Sequence, residues 1–270
     1  MNINLKEKKC FVFDMDGTIY LGDKLIDGTA ELFQYFIEED IHYFFLTNNS
    51  SKSVKDYIIK LNNLGIKADV SNIITSSIAT IRHVEKNFDI KEHQFFLIGT
   101  PSMEEEFKKA GIKFITERED TISIEAVIVG FDTTLTYQKL MDASYYLKRN
   151  NMLIATNCDY ACPLPGGEVT PDCGAIVSLL EKTIDCSVIF CGKPNLSILE
   201  PIFNEGFKRD EMIIIGDRIY TDIALGFENG IDTALVFTGE ATPESVIESE
   251  VKPGLALKSI EDLYKLLKEQ

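Results

Sequence analysis

Phe11-Val12-Phe13-Asp14-Met15-Asp16-Gly17-Thr18 decides how this chain is read. The apolar run from Cys10 to Phe13 reads as a strand, and it delivers two carboxylates at alternate positions before a glycine turn. Side chains alternate across a strand, so while the backbone stays extended Asp14 and Asp16 point the same way and lie close together. Carboxylates held that close repel each other unless a cation or a shared proton sits between them. Gly17 permits a sharp exit from the strand, and the Thr18 hydroxyl can fix a carboxylate. Alone, an Asp-x-Asp marks only the polar end of a strand. The rest of the chain gives it another meaning.

Three more apolar runs end in a polar residue suited to phosphoryl transfer: Tyr43 to Leu46 runs into Thr47, Val188 to Phe190 into Lys193, and Ile213 to Ile215 into Asp217. Helical periodicity fills the intervals, over Asp27 to Glu39, Lys52 to Leu64 and Ser76 to about Asn87, and again beyond them. Strand and helix alternate throughout, which predicts an α/β fold with a mostly parallel sheet. In such a sheet the carboxyl ends share one edge, where ligands bind, so residues far apart in sequence converge. The stretch 80–186 carries strands and helices enough for a layer of its own. It is expected to be an inserted α/β domain that divides the main domain into residues 1–79 and 187–270.

Charge counting gives the chemistry. Asp14, Asp16 and Asp217 together would repel a phosphate dianion, and a hard divalent cation, most naturally Mg²⁺, removes that conflict. Lys193 adds a compact positive charge, while Thr47 and nearby backbone amides add neutral donors. Asp14 can then attack phosphorus in line, and Asp16 is placed to protonate the leaving oxygen and later to deprotonate water.

Asp14-Met15-Asp16-Gly17-Thr18, Thr47-Asn48, Lys193, and Gly216-Asp217 through Thr221-Asp222 resemble, in order and strand context, the motifs of the haloacid dehalogenase superfamily. That resemblance implies a Rossmann-like core, Mg²⁺ and a phosphoaspartate route. By matching position, Asp14 becomes nucleophile and metal ligand, and Asp16 becomes acid/base while lending its backbone carbonyl to the metal. Asp217 becomes a metal ligand, and Asp222 a further ligand through water or a support behind it. The insertion between Thr47 and Lys193 resembles the capped subfamily that contains NagD, 4-nitrophenyl phosphatases, phosphoglycolate phosphatase and pyridoxal phosphatase. Asp14 through Tyr20, Leu46 through Ser50, Val129-Gly130-Phe131-Asp132 and Gly192-Lys193-Pro194 carry that likeness. It implies that Thr47, Asn48, Asn49 and Lys193 bind phosphate, and that cap-loop residues such as Asp159 and Cys162 meet the leaving group. The cap loop departs from the subfamily's Thr-Asn-Pro-Asp and Pro-Gly-x-Gly: here Thr156-Asn157-Cys158-Asp159 and Pro171-Asp172-Cys173-Gly174 stand instead. Related phosphatases often pair through the cap, so a homodimer through the cap is among the arrangements implied.

Composition bounds the partners. Of 270 residues, 45% are hydrophobic, enough for one large core or two smaller ones. With 27 Lys and Arg against 43 Asp and Glu the net charge is −16, which gives no general attraction to nucleic acid or anionic membrane. Met1 to Lys9 has no signal-like apolar core, and the six cysteines lack paired zinc spacing, so a cytoplasmic protein with reduced thiols is expected. The expected activity is hydrolysis of small phosphate monoesters such as sugar phosphates or nucleotides. A phosphotransferase or phosphomutase passing phosphate to a hydroxyl, and a non-catalytic sensor of phosphorylated metabolites, stand as alternatives.

Overall fold

The computed structural model describes residues 3–164 and 167–269; Pro165 and Gly166, within the loop expected over Tyr160 to Gly174, lie outside the described residues. The chain forms two compact units: Met1–Thr47, Val54–Ile74 and Lys193–Gln270 make the first, and Asn48–Ser53 with Thr75–Gly192 the second. The strand expected from the opening stretch, Cys10–Phe13, lies inside a six-stranded sheet. Its neighbours are Met212–Gly216 and His42–Thr47, both parallel to it, with Phe13 opposite Ile215 and Phe45. Beyond them lie Asp232–Val236 and Leu255–Leu257 on one side and Ile73–Thr75 on the other.

All of Cys10–Phe13 is buried, as a strand covered on both faces must be. Period-2 alternation puts Phe11 and Phe13 on one face, where they meet the Thr29–Glu38 helix. Phe11 lies 4.8 Å from Phe36 and Phe13 5.1 Å from Phe33, ring centre to ring centre. Phe45 from the next strand joins at 5.2 Å from Phe33. Such pairs add about 0.5–1.5 kcal/mol each beyond the area they bury. A one-residue slip would turn these rings to the opposite face, so the cluster also fixes the register that aligns the strand ends.

The second unit repeats the principle. Its five-stranded sheet runs Ser187–Phe190, Met152–Ala155, Val127–Val129, Gln94–Ile98 and Lys113–Ile115, every neighbouring pair parallel. Helices Ser76–Asn87, Pro101–Lys109, Tyr137–Asn150 and Cys173–Thr183 accompany it, capped at their N-termini by the side chains of Thr75, Thr100, Thr136 and Asp172. Each such cap is worth about 1 kcal/mol. A short antiparallel pair, Ala161–Pro163 with Val169–Pro171, precedes the Cys173–Thr183 helix.

Two expectations are corrected. Ser187–Phe190 was expected in the main sheet, yet it pairs with Met152–Ala155, with Ser187 N–H donating to Asn151 and Cys191 N–H to Ala155. Residues 187–192 and 75–79 therefore belong with the second unit, as do residues 48–53. An apolar strand preceded and followed by helices fits either parallel sheet equally well, so sequence pattern does not choose between them. Among the described residues no disulfide joins any of the six cysteines. Among the described residues no helix is long and apolar enough to cross a membrane.

Candidate functional site

Three strands of the first unit end side by side, and residues at or just past their ends form the site. Asp14 follows Phe13, Asp217 follows the Met212–Gly216 strand, and Thr47 is itself the last residue of its strand. The Asp14 N–H donates to the Ile215 carbonyl at 2.8 Å, extending the ladder by one residue past the strand. Lys193 arrives without a strand of this sheet behind it, and still its ammonium reaches the centre. Its Nζ donates to Asp14 Oδ1 and to Asp222 Oδ1, each at 2.5 Å, and to the Leu46 carbonyl at 3.2 Å.

Asp14, Asp217 and Asp222 each offer a carboxylate oxygen within 4.8 Å of the others. Side-chain exposure is only 12% for Asp14, 1% for Asp222 and 3% for Lys193. Burial, opposed by Lys193 and reinforced by Asp222 and Asp217, pushes the Asp14 carboxyl well above its ordinary range. Burial and then Asp222 push Asp217 up to about 6. Burial would depress the Lys193 ammonium, but Asp14 and Asp222 outweigh it and the pKa is raised. Fully ionised, three carboxylates and one ammonium leave two negative charges, which a divalent cation would cancel. The oxygen-only donor set suits a hard cation. The residues therefore fit a divalent metal ion.

The loop from Met15 to Tyr20 closes on itself: Ile19 N–H donates to the Met15 carbonyl at 3.0 Å and Gly17 N–H to the Tyr20 carbonyl at 2.9 Å. Gly17 sits at φ +87°, and a β-carbon there would come within 2.7 Å of Asp217 Oδ2, so both conformation and space demand glycine. The Thr18 hydroxyl donates to Asp217 Oδ1 at 3.3 Å, as the sequence anticipated for a nearby carboxylate. The turn redirects Asp16. Its carboxylate does not join the other three; it accepts from the Tyr20 hydroxyl at 3.2 Å and lies 3.8 Å from Lys60 Nζ. The expectation that Asp14 and Asp16 press together as an extended pair gives way here, because the strand ends at Phe13.

Asp222 stands in a π-helical turn, Ile219–Ile223, and its Oδ2 accepts from the Arg218 N–H at 3.1 Å. Turns of this kind recur at functional positions. A β-carbon on Gly216 would overlap the Asp222 carboxylate, so the glycine before Asp217 makes room for it. One support escaped the sequence reading. Glu240 N–H donates to Asp217 Oδ2 at 2.8 Å, and the Thr238 hydroxyl to the Gly17 carbonyl at 2.6 Å. Gly239 lies between them, where a β-carbon would overlap Asp217. The signal was present as Thr238-Gly239-Glu240, another polar ending after an apolar strand.

The remaining expected residues belong to the second unit. Asn48 and Asp159 are both buried, and Asn48 Nδ2 donates to Asp159 Oδ2 at 3.0 Å. Asn157 donates to the Asn48 carbonyl at 2.7 Å, and its Oδ1 accepts from the Asp159 N–H at 2.9 Å. Asn49 folds onto its own loop, where its Oδ1 accepts from Ser51 N at 3.0 Å and Ser51 Oγ at 2.6 Å. Cys162 is half-buried on the short antiparallel pair. Asp172 caps the Cys173–Thr183 helix through the Cys173 N–H.

A family model described as haloacid dehalogenase-like hydrolase matches residues 11–113, and another, HAD-hydrolase-like, matches residues 190–263. The 5'-nucleotidase YutF of Bacillus subtilis is 30% identical over 95% of this chain and 97% of its own. An acid sugar phosphatase of Staphylococcus saprophyticus is 29% identical over 98% of this chain and all of its own. Among solved structures, a 4-nitrophenylphosphatase from Thermotoga maritima superposes with a TM-score of 0.88 at 36% identity, covering 97% of this chain and 98% of that one.

Proposed function

The chain belongs to the haloacid dehalogenase-like hydrolases, and on that premise we propose that it hydrolyses small phosphate monoesters through an aspartyl-phosphate on Asp14. One observation carries the reading: Lys193 Nζ lies 2.5 Å from both Asp14 and Asp222 in a buried cluster completed by Asp217. A lone ammonium among carboxylates suits a site that must admit a further anion together with a cation.

In this reading Asp14, Asp217 and Asp222 would hold Mg²⁺, which would supply positive charge to offset the carboxylates and the incoming phosphate. The protein's own groups then act in sequence. Asp14 Oδ attacks phosphorus as the ester P–O bond breaks, and Asp16 gives its proton to the departing oxygen, releasing an alcohol. Water next attacks phosphorus, Asp16 takes the proton back, and the bond to Asp14 breaks, freeing phosphate and the carboxylate. Lys193 keeps Asp14 oriented between turnovers, and the Thr47 hydroxyl supports the phosphate as a neutral donor. Lys193 and Thr47 thus face a group whose charge grows on its equatorial oxygens.

Named relatives act on sugar phosphates, nucleotides and 4-nitrophenyl phosphate, so the substrate panel should span all three. Phosphate release from that panel, with and without Mg²⁺, tests the proposal in the wild type and Asp14→Asn. Mg²⁺-dependent release abolished by the substitution supports it, and the best-cleaved ester names the substrate class. Phosphate that moves to an added alcohol instead of to water would favour a transferase, and tight ligand binding without turnover a sensor.

A further inference from the structure

Asp16 is the one acidic residue of the opening motif left outside the buried cluster, and its side chain is 46% exposed. A carboxylate that must hand a proton to a leaving oxygen cannot swing freely, because general acid catalysis needs hydrogen-bond distance and direction. Two side chains restrain it. Tyr20, itself fully buried, donates from its hydroxyl to Asp16 Oδ2 at 3.2 Å. Lys60, on the last turn of the Val54–Asn63 helix, brings its Nζ to 3.8 Å from Asp16 Oδ1. The same ammonium stands 3.6 Å above the centre of the Tyr20 ring. The two restraints thus hold the two different oxygens of one carboxyl and also hold each other.

The placement has local causes. Closure of the Met15–Tyr20 loop brings Asp16 and Tyr20 together as paired backbone positions. A cation near a helix C-terminus is favoured by the helix dipole. A cation over an aromatic face is attracted by the ring's negative face, which keeps the flexible lysine stem in one geometry. Its side chain is only 18% exposed, less than half as open as Asp16.

We propose that Lys60, acting with Tyr20, is a positioning residue for the leaving-group proton transfer by Asp16. The proposal rests on the phosphomonoesterase reading above and adds to it a residue far from the recognised motifs. Lys60 touches neither phosphate nor metal in this scheme; it sets the direction in which Asp16 presents its proton.

The test compares two esters that differ in their need for that proton. Glycerol phosphate releases an alkoxide that must be protonated; 4-nitrophenyl phosphate releases a stable phenolate that need not be. Values of kcat/KM report the steps through formation of the aspartyl-phosphate, where the leaving group departs. For Lys60→Ala the expected loss is roughly 10- to 100-fold on glycerol phosphate, within the 10²–10⁴ that general acid catalysis supplies, and at most about threefold on 4-nitrophenyl phosphate. Lys60→Arg, which keeps a cation over the ring, should recover most of the lost rate, and Tyr20→Phe should show the same ester dependence in weaker form. Equal losses on both esters in Lys60→Ala and Tyr20→Phe would mean a general structural role and overturn the proposal, as would no loss on either. A wild type inactive on every ester of the panel would instead remove the hydrolase reading on which the proposal stands.

Discussion

Two parallel sheets in one chain put their polar strand ends to opposite uses. In the first unit, Asp14, Asp217 and Asp222 crowd together with one ammonium, and the first two are pushed above their ordinary range. In the second unit four buried carboxylates are each held by hydrogen-bond donors. Asp132 accepts from Lys139 Nζ at 2.6 Å and from the Thr134 hydroxyl at 2.6 Å. Asp142 accepts from Gln138 at 2.8 Å, Asp159 from Asn48, and Asp172 caps a helix. Where like charges are left in conflict, the fold has paid in stability for a place to put a cation and a phosphate. Where a carboxylate is given its own donors, as at Asp132 and Asp142, burial carries no such conflict.

The sharpest break of that contrast is Asp14→Asn, which removes the nucleophile at almost unchanged volume. Turnover should fall at least about a thousandfold while the melting temperature does not drop, measured by phosphate release beside thermal unfolding. Asp132→Ala should do the reverse to the second unit. It leaves Lys139 without its buried anion, whose side chain is fully enclosed, and should cost about 2–4 kcal/mol in denaturant unfolding. Asp217→Asn sharpens the comparison by its sign. In chelator it should raise the unfolding free energy by about 1–2 kcal/mol, because a crowded buried charge is gone, while the stabilisation that Mg²⁺ gives the wild type disappears. A lower stability for this variant in chelator would contradict the idea of charge conflict at the site. The smallest effect concerns the thiols. Burial pushes Cys173 up to about 12 and Cys191 up to about 11, so at pH 8 iodoacetamide should leave both unmodified in the native protein. The half-buried Cys158, Cys162 and Cys186 should be alkylated, as peptide mass mapping would record.

The site of the first unit was legible because its chemistry stands at strand ends. Asp14, Asp217 and Thr47 follow apolar runs whose parallel pairing is itself readable, so their convergence follows from topology. Lys193 reached the same place for a different reason than the pattern suggested, since the strand before it belongs to the second sheet. Its position is set by the chain returning to the first unit at that residue. Lys60 left no mark in the sequence: a lysine near a helix end is ordinary, and it is the closed Met15–Tyr20 loop that sets Asp16 and the Tyr20 ring beside it. The hydrogen-bonded knot of Asn48, Asn157 and Asp159 reads in sequence as turn residues. Polar side chains that satisfy one another across more than a hundred residues carry no local signature. The departures at Cys158 and Asp172 fall beside this knot and at the cap of the Cys173–Thr183 helix. Gly174, for instance, leaves no room for a β-carbon beside the Cys158 carbonyl.

Trapping the covalent intermediate tests most directly whether the crowded carboxylates exist for phosphoryl transfer. The protein would be mixed with the best ester and Mg²⁺, quenched within one turnover and reduced with borohydride, which converts an aspartyl-phosphate to homoserine. Peptide mapping should place homoserine at position 14 alone, and none should form in Asp14→Asn. Sustained phosphate release with position 14 unreduced, or with the label at another carboxylate, would contradict the assignment of Asp14 as nucleophile.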